Sequence, residues 1–475
     1  MAQKKENLEK KLMIKNENGW NKVSEKEKKE IHAFANEYKQ FLNTVKTERE
    51  AVRYFVDIAE KNGFKDLQGM SSVTLGSKLY MTKNQKVAAF IVTGKRPLRE
   101  GIRYIISHVD SPHLDLKTNP LVEDSESSTA LLKTQYYGGI KNYQWISRPL
   151  AIHGTVVTKD GKKIDLKIGE SEEEPVFVIP DIEPHLARKV QGEKKLFEGF
   201  AGEDLQVLVS SVPINDEEVK AKVKIAVLNN LFESYGMREE DFQSAAIEIV
   251  PADKARDVGL DHSMIGAYGQ DDRICAYTSF KAIIDLNKPE FTSIIIVYDK
   301  EETGSGGSTG AKSNFIDYVT TTLLEKFSKN YTYGDFITIM HNSKAISGDV
   351  DVLLNPLFKQ VHDLTNAAKV GYGTIIAKLG SGNKFNSSEP TPEYLAYLYN
   401  LFDSKGVIYQ SGSLGKVDEG GGSTNPGTTM AQDLAKYGMD VIDMGPGLLS
   451  MHSPFELVSK LDLWSTYRAF EAFLL

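Results

Sequence analysis

The stretch SIIIVYDKEETGSGGSTG, residues 293–310, constrains this chain more than any other. Ile294, Ile295, Ile296 and Val297 are four β-branched residues in a row, which suits a strand covered on both faces. The apolar run then gives way to Glu301 and Glu302, followed by a glycine-rich turn. In open α/β sheets, chemistry collects at the carboxyl ends of the strands. Two neighbouring carboxylates placed there repel each other, and a cation is the simplest way to offset the repulsion. The ordinary reading of a Glu-Glu pair is a solvated acidic turn. The rest of the chain shifts the balance.

At 475 residues the chain exceeds one compact core and points to two or three domains. Hydrophobic content of 41% and charged content of 26% fit a globular enzyme. A net charge of −8 argues against nucleic acid as the main partner. Cys275 is the only cysteine, so an intramolecular disulfide and a CxxC metal site are both excluded. The opening MAQKKENLEKK lacks the apolar core of a secretory signal. No stretch approaches the ~18 apolar residues of a membrane span. No membrane partner and a cytoplasmic location are therefore expected.

Ile31, Phe34, Tyr38 and Phe41 recur at helical spacing, so the first 65 or so residues read as amphipathic helices. Residues 73–110 read as strands separated by turns (SSVTLGSKLYM, KVAAFIVTG, YIIS). From about 113 to 256 short alternating segments take over, among them LAIHGTVVTK, KKIDLKIG, PVFVIP, LQVLVSS and SAAIEIV, and suggest a mainly β insert. From 257 the α/β texture returns. The order predicts a discontinuous α/β domain, residues 1–112 plus 257–475, with a β-rich domain of residues 113–256 inserted into it.

Four further motifs bear on the acidic pair. In YIISHVDSPHLD, His108 and Asp110 follow an apolar run. Residues two apart on a strand face one side, so His108 can offer one ring nitrogen to a metal while Asp110 accepts the other N–H and fixes the tautomer. In YGQDDRICAY, Asp271 and Asp272 open an expected helix, where acids also serve as caps. ISGDVDVL carries Asp349 and Asp351 after a Ser-Gly turn, and MGPGLLSMHSPFE carries His452. As an ordered set these supply one bridging aspartate plus a carboxylate and an imidazole for each side, which would hold two divalent ions. Two such ions clamp and acidify a water. A carboxylate that is not a ligand can take that water's proton and pass it to a leaving amine, so the two glutamates have different uses.

HVDSP, the Asp-Asp pair after Gly-Gln, YDKEETGS, SGDV and SMHS together resemble the motifs of the M18 aminopeptidases, the aspartyl aminopeptidase family of two-zinc peptidases. The match runs in order from about Val73 to the C-terminus. The resemblance implies a central mixed β-sheet flanked by helices. It implies His108, Asp271, Glu302, Asp349 and His452 as metal ligands, with Asp271 bridging, Glu301 as general base and Asp110 orienting His108. The ion that Asp349 serves stays open. His185, in IEPHLAR, matches a residue that reaches a neighbouring subunit's site and stabilises the tetrahedral intermediate, a role suited to a donor aimed at a developing oxyanion; the alternative is a plain surface-loop histidine. Lys378 and Lys384 lie where the family places substrate contacts, and both could equally be solvated lysines. The implied cofactors are two divalent ions per subunit, zinc with manganese or cobalt as alternatives. The implied partners are peptide substrates, cut one N-terminal residue at a time, and other copies of the chain in a dodecamer.

One segment departs from the family. Where the eukaryotic members carry Asn-Asp-Thr-Pro-Cys-Gly-Thr-Thr, this chain has GKVDEGGGSTNPGTT, with Lys416, Asp418, Glu419 and three glycines. That leaves the preferred N-terminal residue open between acidic and broader choices. Other chemistries fit less well. GSGGSTGAKS is not a phosphate loop, because Ala311 separates Gly310 from Lys312. No GxSxG elbow occurs, and Cys275 falls where packing is the commoner role. The alternatives kept are a deacylase on the same two-metal site and a non-catalytic assembly protein on the same fold.

Overall fold

The computed structural model describes residues 8–14, 17–379, 390–412 and 429–475. Its largest sheet has nine strands among the described residues, in the order Lys65–Asp66, Lys78–Lys83, Val87–Val92, Ser293–Tyr298, Arg103–His108, Lys344–Ser347, Asp440–Gly445, Thr374–Ala377 and Tyr409–Gly412. The sheet is mixed. The four middle strands, Ser293–Tyr298 through Asp440–Gly445, run parallel and end along one edge. Val87–Val92 and Thr374–Ala377 flank them antiparallel.

The β-branched run is buried on both sides as its composition demands. Alternate side chains enter opposite layers. Ile295 and Val297 join Phe90 and Ile105 against one helical layer, and Ile294, Ile296 and Tyr298 join Tyr104 and Ile106 against the other. The first layer draws on helices Glu25–Thr44, Glu48–Lys61, Gln270–Ile284 and Lys460–Leu474, and the second on Phe315–Phe327 and Tyr333–Asn342. Burial of each such aliphatic side chain stabilises the fold by about 1.5–3 kcal/mol. Ile31, Phe34, Tyr38 and Phe41 form the buried stripe of the Glu25–Thr44 helix. Ser24 with Glu27, and Thr47 with Glu50, close reciprocal hydrogen bonds that start the first two of these helices.

A second, antiparallel sheet of six strands, Lys163–Ile168, Leu150–Val157, Ala246–Pro251, His113–Asp124, Thr129–Tyr137 and Gln206–Ser210, has an apolar cluster of its own. PVFVIP supplies only isolated bridges at Phe177 and Val178. Helix Lys222–Tyr235 covers part of the sheet, an element the alternating pattern does not announce. A third sheet, Arg256–Val258, Met264–Ala267, Glu456–Ser459, Gly447–Leu449 and Asp351–Val352, sits beside the start of the Gln270–Ile284 helix. Among the described residues no helix is long and apolar enough to cross a membrane.

Candidate metal centre

Two sheets deliver the candidate ligands to one place. His108 is the last residue of Arg103–His108, level with Tyr298 of the neighbouring strand. Glu301 and Glu302 begin the turn beyond Tyr298, and Asp349 lies two residues beyond the Lys344–Ser347 strand. These three sources lie along the carboxyl edge of the central sheet. The small third sheet brings the rest: Asp271 follows strand Met264–Ala267, and His452 sits between Gly447–Leu449 and Glu456–Ser459. His452 holds a left-handed backbone, φ 62°, which is uncommon for a residue with a side chain and is typical of functional turns.

The geometry is that of a bridge. Oδ1 of Asp271 lies 3.3 Å from His108 Nε2, and Oδ2 lies 3.2 Å from His452 Nε2. Glu302 Oε2 is 3.5 Å from His452 Nε2. Asp349 Oδ1 and Glu301 Oε2 are each 3.8 Å from His108 Nε2. Two overlapping trios, His108 with Asp272 and Asp349, and His108 with Asp271 and Glu302, have ligand atoms all within 4.8 Å of one another. The second trio pairs Glu302 with His108, whereas the ion-pair distances place Glu302 beside His452. The shorter contact is the better guide, since each carboxylate serves the imidazole it approaches.

Both histidines present Nε2 for the same reason. His108 Nδ1 lies 3.0 Å from the carbonyl oxygen of Asp110 and 3.3 Å from its carboxylate, and His452 Nδ1 lies 2.9 Å from the carbonyl of Gly139. A carbonyl can only accept, so Nδ1 carries the hydrogen in each ring and Nε2 faces Asp271. The strand ends at His108, and Asp110 reaches back from the loop beyond it.

Asp110 does more than hold an imidazole. Its Oδ1 accepts the backbone N–H of Glu301 at 3.2 Å, and its Oδ2 accepts that of Glu302 at 3.1 Å and the Tyr137 hydroxyl at 2.8 Å. Glu456, which sequence reasoning missed, does the matching work on the other side. Its Oε2 accepts the N–H groups of Gln270 at 2.7 Å and Asp271 at 3.1 Å, and its Oε1 that of His452 at 2.8 Å. The only sequence signal was an acid within a largely apolar C-terminal strand. Asp271 and Asp272 depart from helical dihedrals at the head of their helix, and Gly269, its N-cap, makes no side-chain cap bond. A Cβ on Gly269 would come within 1.9 Å of Arg273 Nη1, and its φ of 71° suits glycine alone.

The electrostatics show a surplus of buried negative charge. Burial, joined by the neighbouring carboxylates, pushes Glu301 up to about 8, drives Glu302 and Asp272 well above their ordinary values and raises Asp349. Asp271 alone among the candidate ligand acids is held low: burial opposes this, and hydrogen bonds from His108 and His452 overcome it. Burial likewise works to discharge His452, but Asp271 and Glu302 raise it to about 11. Two buried carboxylate oxygens, Glu302 Oε1 and Asp272 Oδ1, have no hydrogen-bond partner. Orphaned buried acceptors beside mixed imidazole and carboxylate donors are what divalent cations with N/O preference satisfy.

His185 is exposed in the short helix Pro184–Val190. Lys378 is exposed just after Thr374–Ala377, and that strand runs opposite to its neighbour Asp440–Gly445, so the chain leaves it heading away from the carboxyl edge. Lys384, Lys416, Asp418 and Glu419 lie outside the described residues.

Residues 41–474 match the family described as Aminopeptidase I zinc metalloprotease (M18). A relative from Borrelia garinii subsp. bavariensis, described as "Probable M18 family aminopeptidase 1", is 46% identical over 97% of this chain and 99% of its own length. The crystal structure of an M18 family aminopeptidase from Thermotoga maritima superposes with a TM-score of 0.91 at 42% identity, covering 97% of this chain and 99% of that one. A more distant structure, the S. cerevisiae mApe1 dodecamer, shares the fold with a TM-score of 0.73 at 22% identity, over 93% of this chain and 96% of that one. With a profile that spans nearly the whole sequence and a solved relative of the same architecture, the chain belongs to the M18 family of zinc aminopeptidases.

Proposed function

We propose that this chain releases single N-terminal residues from peptides, using a water activated between two divalent ions, with Glu301 as the general base. The class, a zinc-dependent aminopeptidase, follows from family membership. The observation that carries the finer reading is Asp271, whose two oxygens face two different histidines at 3.3 and 3.2 Å. His108 and Asp349 would hold one ion and His452 and Glu302 the other, with Asp271 between. Bound there, the pair would supply Lewis acidity: a lowered pKa for a shared water and a polarised scissile carbonyl.

The chain's own residues then do the following. Asp110 and Gly139 keep the imidazoles in the tautomer that presents Nε2. Glu301 is not needed as a ligand in this scheme, and its carboxyl borders the same space, 3.8 Å from His108 Nε2. It can accept the water's proton at Oε2 and return it to the departing amine. Asp271, Asp272 and the Glu302 side chain form a buried wall of the site.

The same reading makes residues 113–256 an inserted unit for assembly and for covering the site, with residues 1–112 and 257–475 as the catalytic body. Val176, Ile182, Leu186, Val190, Leu196, Phe197 and Val212, from the stretch of sequence that carries His185, are all exposed, apolar side chains suited to burial against another copy of the chain. His185 would enter the neighbour's site from that surface. The preferred N-terminal residue, acidic or broader, is decided by a panel of N-terminal aminoacyl substrates assayed with added Zn²⁺, Mn²⁺ or Co²⁺ and after chelation. Metal-dependent release of free amino acids supports the reading. Cleavage only of acylated amines would favour the deacylase instead.

A further inference from the structure

Strand Thr129–Tyr137 of the six-stranded sheet ends in Tyr137-Gly138-Gly139, and this short turn touches both halves of the candidate centre. Tyr137 donates its hydroxyl to Asp110 Oδ2 at 2.8 Å, and the Asp110 carboxylate faces His108 Nδ1 at 3.3 Å, beside the Asp110 carbonyl at 3.0 Å. Two residues later the Gly139 carbonyl fixes the His452 ring at 2.9 Å. Gly138 lies between them against Glu302: a Cβ there would sit 3.3 Å from Glu302 Oε2 and 3.4 Å from its Cβ, on a backbone with φ 72°. A Cβ on Gly139 would press on His452 Nδ1 at 3.3 Å. The glycines thus permit a close approach that side chains would crowd, displacing Glu302 or His452 by a few tenths of an ångström.

The tyrosine is held on every side. Its ring stacks on His113, with centroids 4.4 Å apart and planes 15° apart, and the Lys300 ammonium lies 4.9 Å from its centroid. Tyr137 is almost fully buried. A hydroxyl locked in this way has no freedom to leave Asp110, so the position of the strand is passed to the carboxylate.

We propose that Tyr137 and Gly139 are positioning residues for the two metal-binding histidines, so that the six-stranded sheet completes the metal centre of its own chain. This rests on the assignment of His108 and His452 as ligands. The ends of the chain of contacts are Nδ1 of each ring, the atoms that do not face Asp271. Any displacement of the six-stranded sheet relative to the central sheet would loosen both imidazoles together, which gives assembly of that sheet against another copy a direct route to the catalytic centre.

The test is zinc affinity measured by competition against a chromogenic chelator, using the full-length chain and three variants: Tyr137→Phe, Gly139→Ala and His108→Ala. Partners that orient metal-ligating histidines contribute about 10–100-fold in metal affinity. Tyr137→Phe keeps the ring and its stacking but removes the donor to Asp110, one step further from the histidine, so the zinc ion at His108 should bind more weakly by up to about 10-fold, the lower end of that range, with melting temperature little changed. Gly139→Ala should weaken the other ion, at His452. Rescue at high free zinc, with kcat recovering and KM near wild type, separates positioning from misfolding. Wild-type affinity for both ions in Tyr137→Phe and Gly139→Ala would overturn the proposal while leaving the ligand assignment standing. Wild-type zinc binding in His108→Ala would instead remove the assignment on which it rests.

Discussion

Asp110→Asn tests how much of the centre depends on one carboxylate that is not itself a candidate ligand. In the native chain Oδ1 accepts from the Glu301 N–H and faces His108 Nδ1, while Oδ2 accepts from Tyr137 and from the Glu302 N–H. An asparagine has the same shape but replaces one oxygen by an NH₂ donor. If the NH₂ takes the Oδ1 place, it meets the Glu301 N–H and the imidazole N–H. If it takes the Oδ2 place, the Tyr137 hydroxyl can rotate and accept from it, but the Glu302 N–H is left without a partner. The less costly arrangement therefore orphans one buried amide, at about 1–3 kcal/mol, and also loses the charge that strengthened the remaining bonds. That cost falls on the folded chain with or without zinc and is read as lower stability; the effect on zinc itself is the roughly 10–100-fold expected when a partner of a ligating histidine is altered. Zinc competition and kcat/KM at saturating zinc are the assays. Weaker zinc binding together with a fall in kcat agrees with the argument, because Asp110 holds both His108 and the turn that carries Glu301. Wild-type zinc affinity and wild-type kcat would refute it.

Other perturbations address separate parts of the site. Glu301→Gln should retain both metal ions and lose roughly 100- to 10,000-fold in kcat, the range for removal of a general base; near-normal turnover would exclude Glu301 from that role. His185→Ala should lose activity while keeping its zinc, and mixing it with an inactive Glu301→Gln chain should restore some turnover if His185 acts on a neighbouring subunit. A third case concerns stability. His153 is buried between Glu50 and Glu170, at 2.9 and 3.1 Å. Burial opposes its charge, but the two carboxylates raise its pKa above 6.5, and Glu170 is lowered to about 2 against the opposition of burial. The raised histidine stabilises fully below about 6.5 and progressively less as pH rises through its folded value; the lowered Glu170 stabilises fully above about 4.5 and loses this as pH falls toward 2. The melting temperature advantage of the native chain over His153→Gln should thus be greatest between about pH 4.5 and 6.5 and shrink at pH 9. An advantage that grows with alkaline pH would reverse that sign.

The parts of this molecule legible in the sequence are those with a local signature. The β-branched run Ile294–Val297 declared a doubly covered strand because periodicity and composition agree there. The helical stripe from Ile31 to Phe41 was equally clear. The ordered set His, Asp, Glu-Glu, Asp, His stood out because each lies near the end of an expected element; the choice of His108, Asp271, Glu302, Asp349 and His452 within it came from the resemblance to the M18 motifs, and the fold brings these five side chains together. What could not be read has a common physical origin. Asp110 was read as the partner of His108, but its bonds to the Glu301 and Glu302 backbone were not, and Glu456 was missed altogether: both carboxylates accept from backbone N–H groups, which every residue has, so no residue pattern announces those partners. Gly139 acts through its carbonyl and lies far along the chain from His452. The Lys222–Tyr235 helix hid within a region whose alternating texture spoke for strands. Asp271 and Asp272, taken alone, also suited helix-capping acids; the backbone there is not helical and the side chain of Asp271 turns toward the histidines.

The most direct measurement is the number and position of zinc ions, by elemental analysis and by anomalous diffraction at the zinc edge, in the native chain and in Asp271→Ala. The account predicts two ions per native chain, one beside His108 and Asp349 and one beside His452 and Glu302, and no more than one in the variant. A single ion in the native chain, or two ions retained without Asp271, would contradict it.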